Sequence, residues 1–186
     1  MPTQATLVTL EDFRQMPPPP PGVKRELIEG VVTEMGSALG GHEKVKSNFI
    51  DLFAELCNRK TPWALVSESE FVLGETMDAI PDVAIVRRSD ILAAPSDKHF
   101  SFPPVLAVEV VSSEKAEDLE AKVRGYLAHG VATVLVAYPW VAYQKLGEIQ
   151  VRTTNGYLQL TSESRLELAQ LSPDWSADVS DFFLGV

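Results

Sequence analysis

The spacing of apolar residues changes repeatedly along the chain, and each change marks a different element. Residues 25–35 alternate on either side of Glu29-Gly30, the pattern of two short strands joined by a tight turn. From His42 to about Arg59, Val45, Phe49, Leu52, Phe53 and Leu56 recur at helical spacing, and Pro62 ends that segment. Short apolar, β-branched runs at 63–73, 80–86 and 105–111 predict buried strands. Between the last two, the connection from Arg87 to Pro104 leaves room for a short helix starting at Ser89-Asp90. A second helix is predicted over 114–129, with Ala116, Leu119, Val123, Tyr126 and Leu127 on one face and Gly130 as its stop. Val131 to Tyr138 reads as another buried strand, and 148–160 as a hairpin turning at Asn155-Gly156. The tail residues Asp181-Phe182-Phe183-Leu184 are expected to pack back on the core.

This order of elements predicts an α/β fold: a mixed sheet flanked by helices, with an N-terminal strand pair and a C-terminal hairpin. Residues 1–16 form an amphipathic start with Thr9 as a helix N-cap, and Pro17 to Pro21 followed by Gly22 make a stiff polyproline-II spacer. The expected organisation is therefore an N-terminal segment over 1–23 and one domain over 24–186. Gly36 and Gly41 have the spacing of a phosphate loop, but His42-Glu43 stands where Lys and Ser/Thr are required, which excludes that motif.

Composition narrows the function classes. The chain has 186 residues, 45 % of them apolar, enough for a substantial core. The sequence shows neither a signal-peptide pattern nor a run of membrane-spanning length, so the expectation is a soluble cytoplasmic protein with no membrane partner. Cys57, alone of its kind, lies in an amphipathic stretch and reads as a core residue. A net charge of −10 argues against broad non-specific nucleic-acid binding, though not against a local basic groove.

Two acids break the apolar pattern. Asp82 lies within Ile80-Pro81-Asp82-Val83-Ala84-Ile85-Val86, and Glu109 within Val105-Leu106-Ala107-Val108-Glu109-Val110-Val111. A carboxylate there loses its hydration, and two of them together repel; a divalent cation would relieve both costs. If the two strands pair antiparallel, Asp82 near the start of one and Glu109 near the end of the other meet at the same end of the sheet. Glu109 then lies roughly 7–10 Å deep along its strand. Lys122 lies roughly 10 Å along the following helix, at the border of its apolar face, and can reach the same depth. A metal with two carboxylates and an ammonium suffices for phosphodiester hydrolysis.

These residues resemble a known group. Pro81-Asp82 followed by Glu109-Val110-Val111, within this order of elements, resembles the PD-(D/E)XK nuclease superfamily. More closely, the chain resembles its Uma-type restriction endonuclease family through Glu26-Leu27-Ile28-Glu29-Gly30, His42, Ser67-Glu68, Pro81-Asp82-Val83-Ala84, Val108-Glu109-Val110 and Lys122 to Gly130, from about residue 24 onward. The superfamily's usual lysine position is held by Val111, and Lys122 fits the place to which that lysine has moved in the Uma-type group. The resemblance implies a restriction-endonuclease-like fold, Asp82 and Glu109 as metal ligands with the Val110 carbonyl, Lys122 as catalytic, Glu26 as a further site acid and Glu68 as lining the metal site. It implies Mg2+ (or Mn2+) as cofactor and DNA as substrate, cut by hydrolysis of phosphodiester bonds. A homodimer would let one copy cut each strand.

The residues taken alone leave plainer readings beside these. Glu26 reads as part of a solvated strand face, and Glu68 and Glu70 as sharing an exposed face with Phe71 inward. Asp118 and Lys122 have the spacing of a surface ion pair. His42 reads as a helix-start residue, and His99 and His129 lack metal-binding spacing. Arg87 and Arg88 fall roughly 16 Å from Asp82 along the strand. The competing functions are a nuclease-fold module that binds or assembles without cutting, favoured by Val111 and the acidic charge, and a hydrolase of another phosphate ester.

Overall fold

The structure, a computed structural model, describes residues 7–36, 40–112, 114–139 and 147–186. Residues 1–6 of the amphipathic start, 37–39 of the Gly36–Gly41 loop, and Trp140 lie outside them. The described elements run α1 (Leu10–Arg14), β1 (Lys24–Ile28), β2 (Val31–Met35), α2 (Gly40–Phe53), β3 (Trp63–Ser67), β4 (Phe71–Gly74), β5 (Met77–Ala79), β6 (Val83–Arg87), α3 (Arg88–Ala93), β7 (Leu106–Val110), α4 (Ala116–Ala128), β8 (Thr133–Tyr138), β9 (Glu148–Thr153), β10 (Gly156–Leu160), β11 (Arg165–Glu167), β12 (Ser176–Asp178) and a 3₁₀ turn at Val179–Phe183.

Among the described residues the main sheet has the strand order β10-β9-β8-β7-β6-β3. It is mixed: β7 and β8 run parallel, joined by α4, and the other neighbours are antiparallel. Alternation along β6 and β7 divides its side chains between two faces. Val83, Ile85, Leu106, Val108 and Val110 pack with Val45, Phe49 and Phe53 of α2 and with Phe182 of the tail. On the other face Ala107, Val134 and Val136 pack with Leu119, Val123 and Tyr126 of α4. The tail is fastened to α2 by Asn48, whose amide donates to the carbonyls of Phe182 and Leu184 at 3.1 Å each.

The second sheet, β2-β1-β5-β4, is antiparallel, and β1 contributes Ile28 to the α4 side of the core. Its hairpin turns at Glu29 (φ 50°) and Gly30 (φ 77°), both left-handed, as a two-residue turn between right-twisted strands requires. Thr9 caps α1 by accepting from the Asp12 N–H at 3.2 Å. Arg14 anchors that helix on Glu70 (2.6 Å) and the buried Asp78 (2.7 Å). Helix α4 ends in a Schellman turn, with Gly130 at φ 94° and the Val131 N–H on the Tyr126 carbonyl at 3.0 Å.

Several boundaries differ from the sequence reading, each for a local reason. Helix α2 ends at Phe53 and its last turns do not reach Arg59: Asn58 and Thr61 side chains take the carbonyls of Glu55 (2.8 Å) and Leu56 (2.6 Å), which a continuing helix would use. The run 63–73 is two strands in different sheets, broken at Glu68, which sits at φ 48°. Glu68 and Glu70 therefore do not share a strand face, although Phe71 is buried as expected. The run 80–86 begins as a link between sheets: Pro81 has no N–H for a ladder, and the Ile80 N–H goes to the Glu26 side chain, so β6 starts at Val83. The C-terminal hairpin turns one residue early, at Thr154-Asn155, because Gly156 (φ 133°) pairs with Thr153.

Candidate active site

Glu109 is the fourth residue of β7, on the face that α4 covers. The β6–β7 register sets Val83 opposite Val108; one step further places Asp82 across from Glu109, and the Asp82 N–H donates to the Val108 carbonyl at 3.1 Å. Because β7 and β8 are parallel, α4 must run back over the sheet, and Lys122 and Tyr126, four residues apart, share its buried face. Lys122 Nζ lies 2.9 Å from Glu109 Oε2, and Tyr126 donates its hydroxyl to Glu109 Oε1 at 2.9 Å. Lys122 also lies 2.9 Å from Glu26 Oε1, brought in by β1 of the second sheet, and donates to the Ile80 carbonyl at 3.4 Å. Asp82 Oδ2 accepts the Val110 N–H at 2.8 Å and meets His42 Nε2, from the start of α2, at 3.1 Å.

All of these side chains are buried: Glu26, His42, Asp82, Glu109, Lys122 and Tyr126. Three carboxylates face one lysine, and their electrostatics follow from that imbalance. Burial, with the nearby charges of Asp82 and Glu26, pushes Glu109 up to about 8 in spite of Lys122. Burial opposes the charged form of Lys122, but the carboxylates around it outweigh that and hold its pKa above the ordinary value. Asp82 stays below its ordinary range: burial would raise it, and the hydrogen bond and charge of His42, with Lys122 and the Val110 N–H, bring it down. Burial likewise lowers His42, but Asp82 and Glu43 reverse this and leave the imidazole raised.

Two clefts meet over this constellation. One, of about 290 Å3, reaches Glu26, Thr33, Glu109, Asp118 and Lys122. The other, of about 420 Å3, is lined by Lys24, His42, Glu68, Asp82, Val110 and Lys122. Lys122 and Glu109 line both, so the buried charges are reachable from either side.

The structure thus brings together Asp82, Glu109, Lys122, Val110 and Glu26. Glu26 corrects the reading of a solvated face, since it is 1 % exposed and ion-paired. Lys122 makes its ion pairs in the interior, not with Asp118 on the surface. Glu68 lies at the rim, its Oε1 2.6 Å from Lys24 Nζ and 3.0 Å from Lys46 Nζ. Arg88 is elsewhere, bonded to the carbonyls of Cys57, Asn58 and Trp63. Two further residues join the site, His42 on Asp82 and Tyr126 on Glu109. His42 gives no local sign of its partner, whereas Tyr126, one helical turn after Lys122 on the same face, could have been found by spacing.

Among the described residues no group of three or more His, Cys, Asp or Glu side chains is arranged to hold a metal ion. The donors that fit one are oxygens: Asp82, Glu109 and backbone carbonyls beside them. That set suits hard divalent cations, which commonly use one or two carboxylates and complete their shell with water and phosphate.

The sequence profile of the Uma2 family, described as "Putative restriction endonuclease", matches residues 10–180. The chain belongs to the Uma2 family. No curated protein matches it. Among solved structures, this Uma2 chain is similar to a putative nuclease belonging to DUF820 from Anabaena variabilis. The TM-score is 0.77 at 15 % identity, over 95 % of this chain and 97 % of that one. At that identity the likeness is one of fold: a nuclease-type mixed sheet flanked by helices. Glu26, His42, Asp82, Glu109, Lys122 and Tyr126 all fall inside the stretch that the Uma2 profile covers. Among the described residues no helix is long and apolar enough to cross a membrane.

Proposed function

We propose that the chain is a metal-dependent endonuclease that hydrolyses phosphodiester bonds of DNA, with Mg2+ or Mn2+ held by Asp82, Glu109 and the Val110 carbonyl. The observation that carries this reading is the buried meeting of Glu109 with Lys122 beneath two open clefts, on a fold and in a family associated with nucleases. When bound, a divalent ion supplies an acidified water and polarises a phosphoryl oxygen.

The chain's own residues provide the rest. Lys122 puts a fixed positive charge at the floor of the clefts, where it can steady charge on a phosphate; its bond to the Ile80 carbonyl, at 3.4 Å, is its longest and the readiest to exchange. Glu26 and Tyr126 hold Lys122 and Glu109 in place. His42 and the Val110 N–H fix the Asp82 carboxylate by its Oδ2. The walls of α4 and β1 exclude bulk water from these charges.

A nuclease-fold module that binds without cutting is the second reading. It is favoured by the engagement of both Glu109 oxygens, by Lys122 and Tyr126. Supercoiled plasmid incubated with purified protein and Mg2+ or Mn2+ separates the two. Endonuclease activity predicts nicking that Glu109→Gln and Asp82→Asn abolish while remaining folded. Equal inertness of folded wild type and variants, with DNA binding retained, would establish the module instead.

A further inference from the structure

The rim of the larger cleft holds an arrangement that the proposed chemistry leaves unused. Lys24 Nζ and Lys46 Nζ converge on a single oxygen, Glu68 Oε1, at 2.6 and 3.0 Å. Lys24 comes from β1 and Lys46 from α2, so two separate elements aim ammonium groups at one point. Lys46 is largely buried and also touches Glu43 at 2.6 Å, which holds its Nζ in place. Glu68 occupies the corner where the chain leaves the main sheet for the second one, in the left-handed region at φ 48° that only a few non-glycine residues adopt. Its N–H donates to the Asp82 carbonyl at 3.3 Å, so the corner is tied directly to the backbone of the candidate active site.

We propose that Lys24 and Lys46 form a subsite for a backbone phosphodiester of the DNA strand, and that the Glu68 carboxylate fills it until the strand arrives. The inference rests on the DNA-cutting reading above and adds to it the residues that seat the neighbouring phosphate. A carboxylate oxygen held by two ammonium groups has the charge and reach of a phosphate oxygen. Glu68 is 41 % exposed, so it can swing into solvent without unpacking the core. Lys24 and Glu68 line the same cleft as Asp82, Glu109 and Lys122, so a strand held there passes over the buried charges. Glu68 also imposes a threshold: a ligand must out-compete it for both lysines, which a polyanion does and an isolated weak anion does not.

The test is a titration, by fluorescence anisotropy, of an internally labelled short DNA duplex with full-length protein in the absence of divalent metal. Glu68→Gln is expected to bind about fivefold tighter, the size of one charge-assisted contact. Lys24→Met is expected to bind about fivefold more weakly, with the slope of log K against log salt reduced by about one. In a Lys24→Met/Lys46→Met background Glu68→Gln gains nothing, and Glu120→Gln, the same charge change outside the clefts, gains nothing in wild type. The Lys24 side chain is 36 % exposed at the rim, against 11 % for Lys46, so its variant keeps the test readable if Lys46→Met fails to fold. An equal gain from Glu68→Gln in both backgrounds, or from Glu120→Gln, would reduce the effect to general charge and overturn the subsite. A gain confined to duplexes carrying a 5′-phosphate would assign the lysines to a strand end and overturn it as well. Wild type that nicks and binds DNA while Glu68→Gln shows no change sinks the subsite alone; wild type that neither binds nor nicks DNA sinks the endonuclease reading and the subsite together.

Discussion

Glu109 and Lys122 are thirteen residues apart in sequence and 2.9 Å apart in space, joined by the crossover from β7 through α4. Each is buried, and each is the reason the other can be. Removing the ammonium strips the buried Glu26 of its counter-charge and Glu109 of a hydrogen-bond donor. Lys122→Met is therefore expected to lower stability by about 3–5 kcal/mol, the range for breaking a buried ion pair from one side. Chemical denaturation measures it. Lys122→Met/Glu109→Gln should recover part of the loss, and a double variant no more stable than the single one would contradict the pairing.

The pH dependence of stability follows from Glu109. Its folded value of about 8 lies above its ordinary 4.5, so between these the folded chain holds a proton that the unfolded chain releases. The stability contributed by that proton is in full below the ordinary value and is lost as pH rises through about 8. In the absence of metal, wild type should lose stability across this window relative to Glu109→Gln. Asp78, pushed up to about 7 by burial and by Glu70, adds a slope of the same sign to both proteins and cancels in the difference. Parallel stability curves for the two proteins would show that Glu109 is not raised.

Tyr126 is fully buried and gives its hydroxyl to Glu109. Tyr126→Phe keeps the ring and its packing but strands a carboxylate oxygen, at a cost of about 1–3 kcal/mol. Thermal or urea unfolding reads the loss, and Tyr126→Phe in a Glu109→Gln background should cost less. Equal costs in both backgrounds would mean that the hydroxyl does not serve the carboxylate.

His42 acts on Asp82 by holding its orientation. On the proposed reading of Asp82 as a metal ligand, a partner that orients it commonly contributes 10- to 100-fold, so His42→Ala is expected to lower nicking by about that factor. His42→Gln, which keeps a donor on the same side, should restore part of it, with the metal concentration for half-maximal nicking shifting in step. Unchanged metal dependence in His42→Ala would limit the imidazole to packing.

The parts of this molecule that could be read from the sequence were those governed by period. The apolar run from Leu106 to Val110 and helical spacing from Leu119 to Tyr126 place Glu109 and Lys122 at matching depth, because strand rise and helix rise are constants of the backbone. What escaped depended on where the chain turns. Glu26 looks solvated within Lys24-Arg25-Glu26-Leu27-Ile28, since nothing local shows that a lysine from α4 will descend on it. Glu68 looks like the middle of one strand, because the left-handed corner that splits it has no glycine or proline to announce it. The polar run Ser67-Glu68-Ser69-Glu70 was the available signal. His42 and Asp82 meet only once α2 has docked on the sheet, a tertiary event with no sequence period.

Lys122 draws one of its acids from each sheet, Glu26 from the shorter and Glu109 from the longer. A nascent chain that has assembled only the longer sheet lacks Glu26, one of the acids around the lysine, and the wall that β1 contributes. Such an intermediate leaves the candidate site unfinished. On the endonuclease reading proposed above, any capacity to cut would arise only once the last layer closes, so an unfinished chain would be harmless.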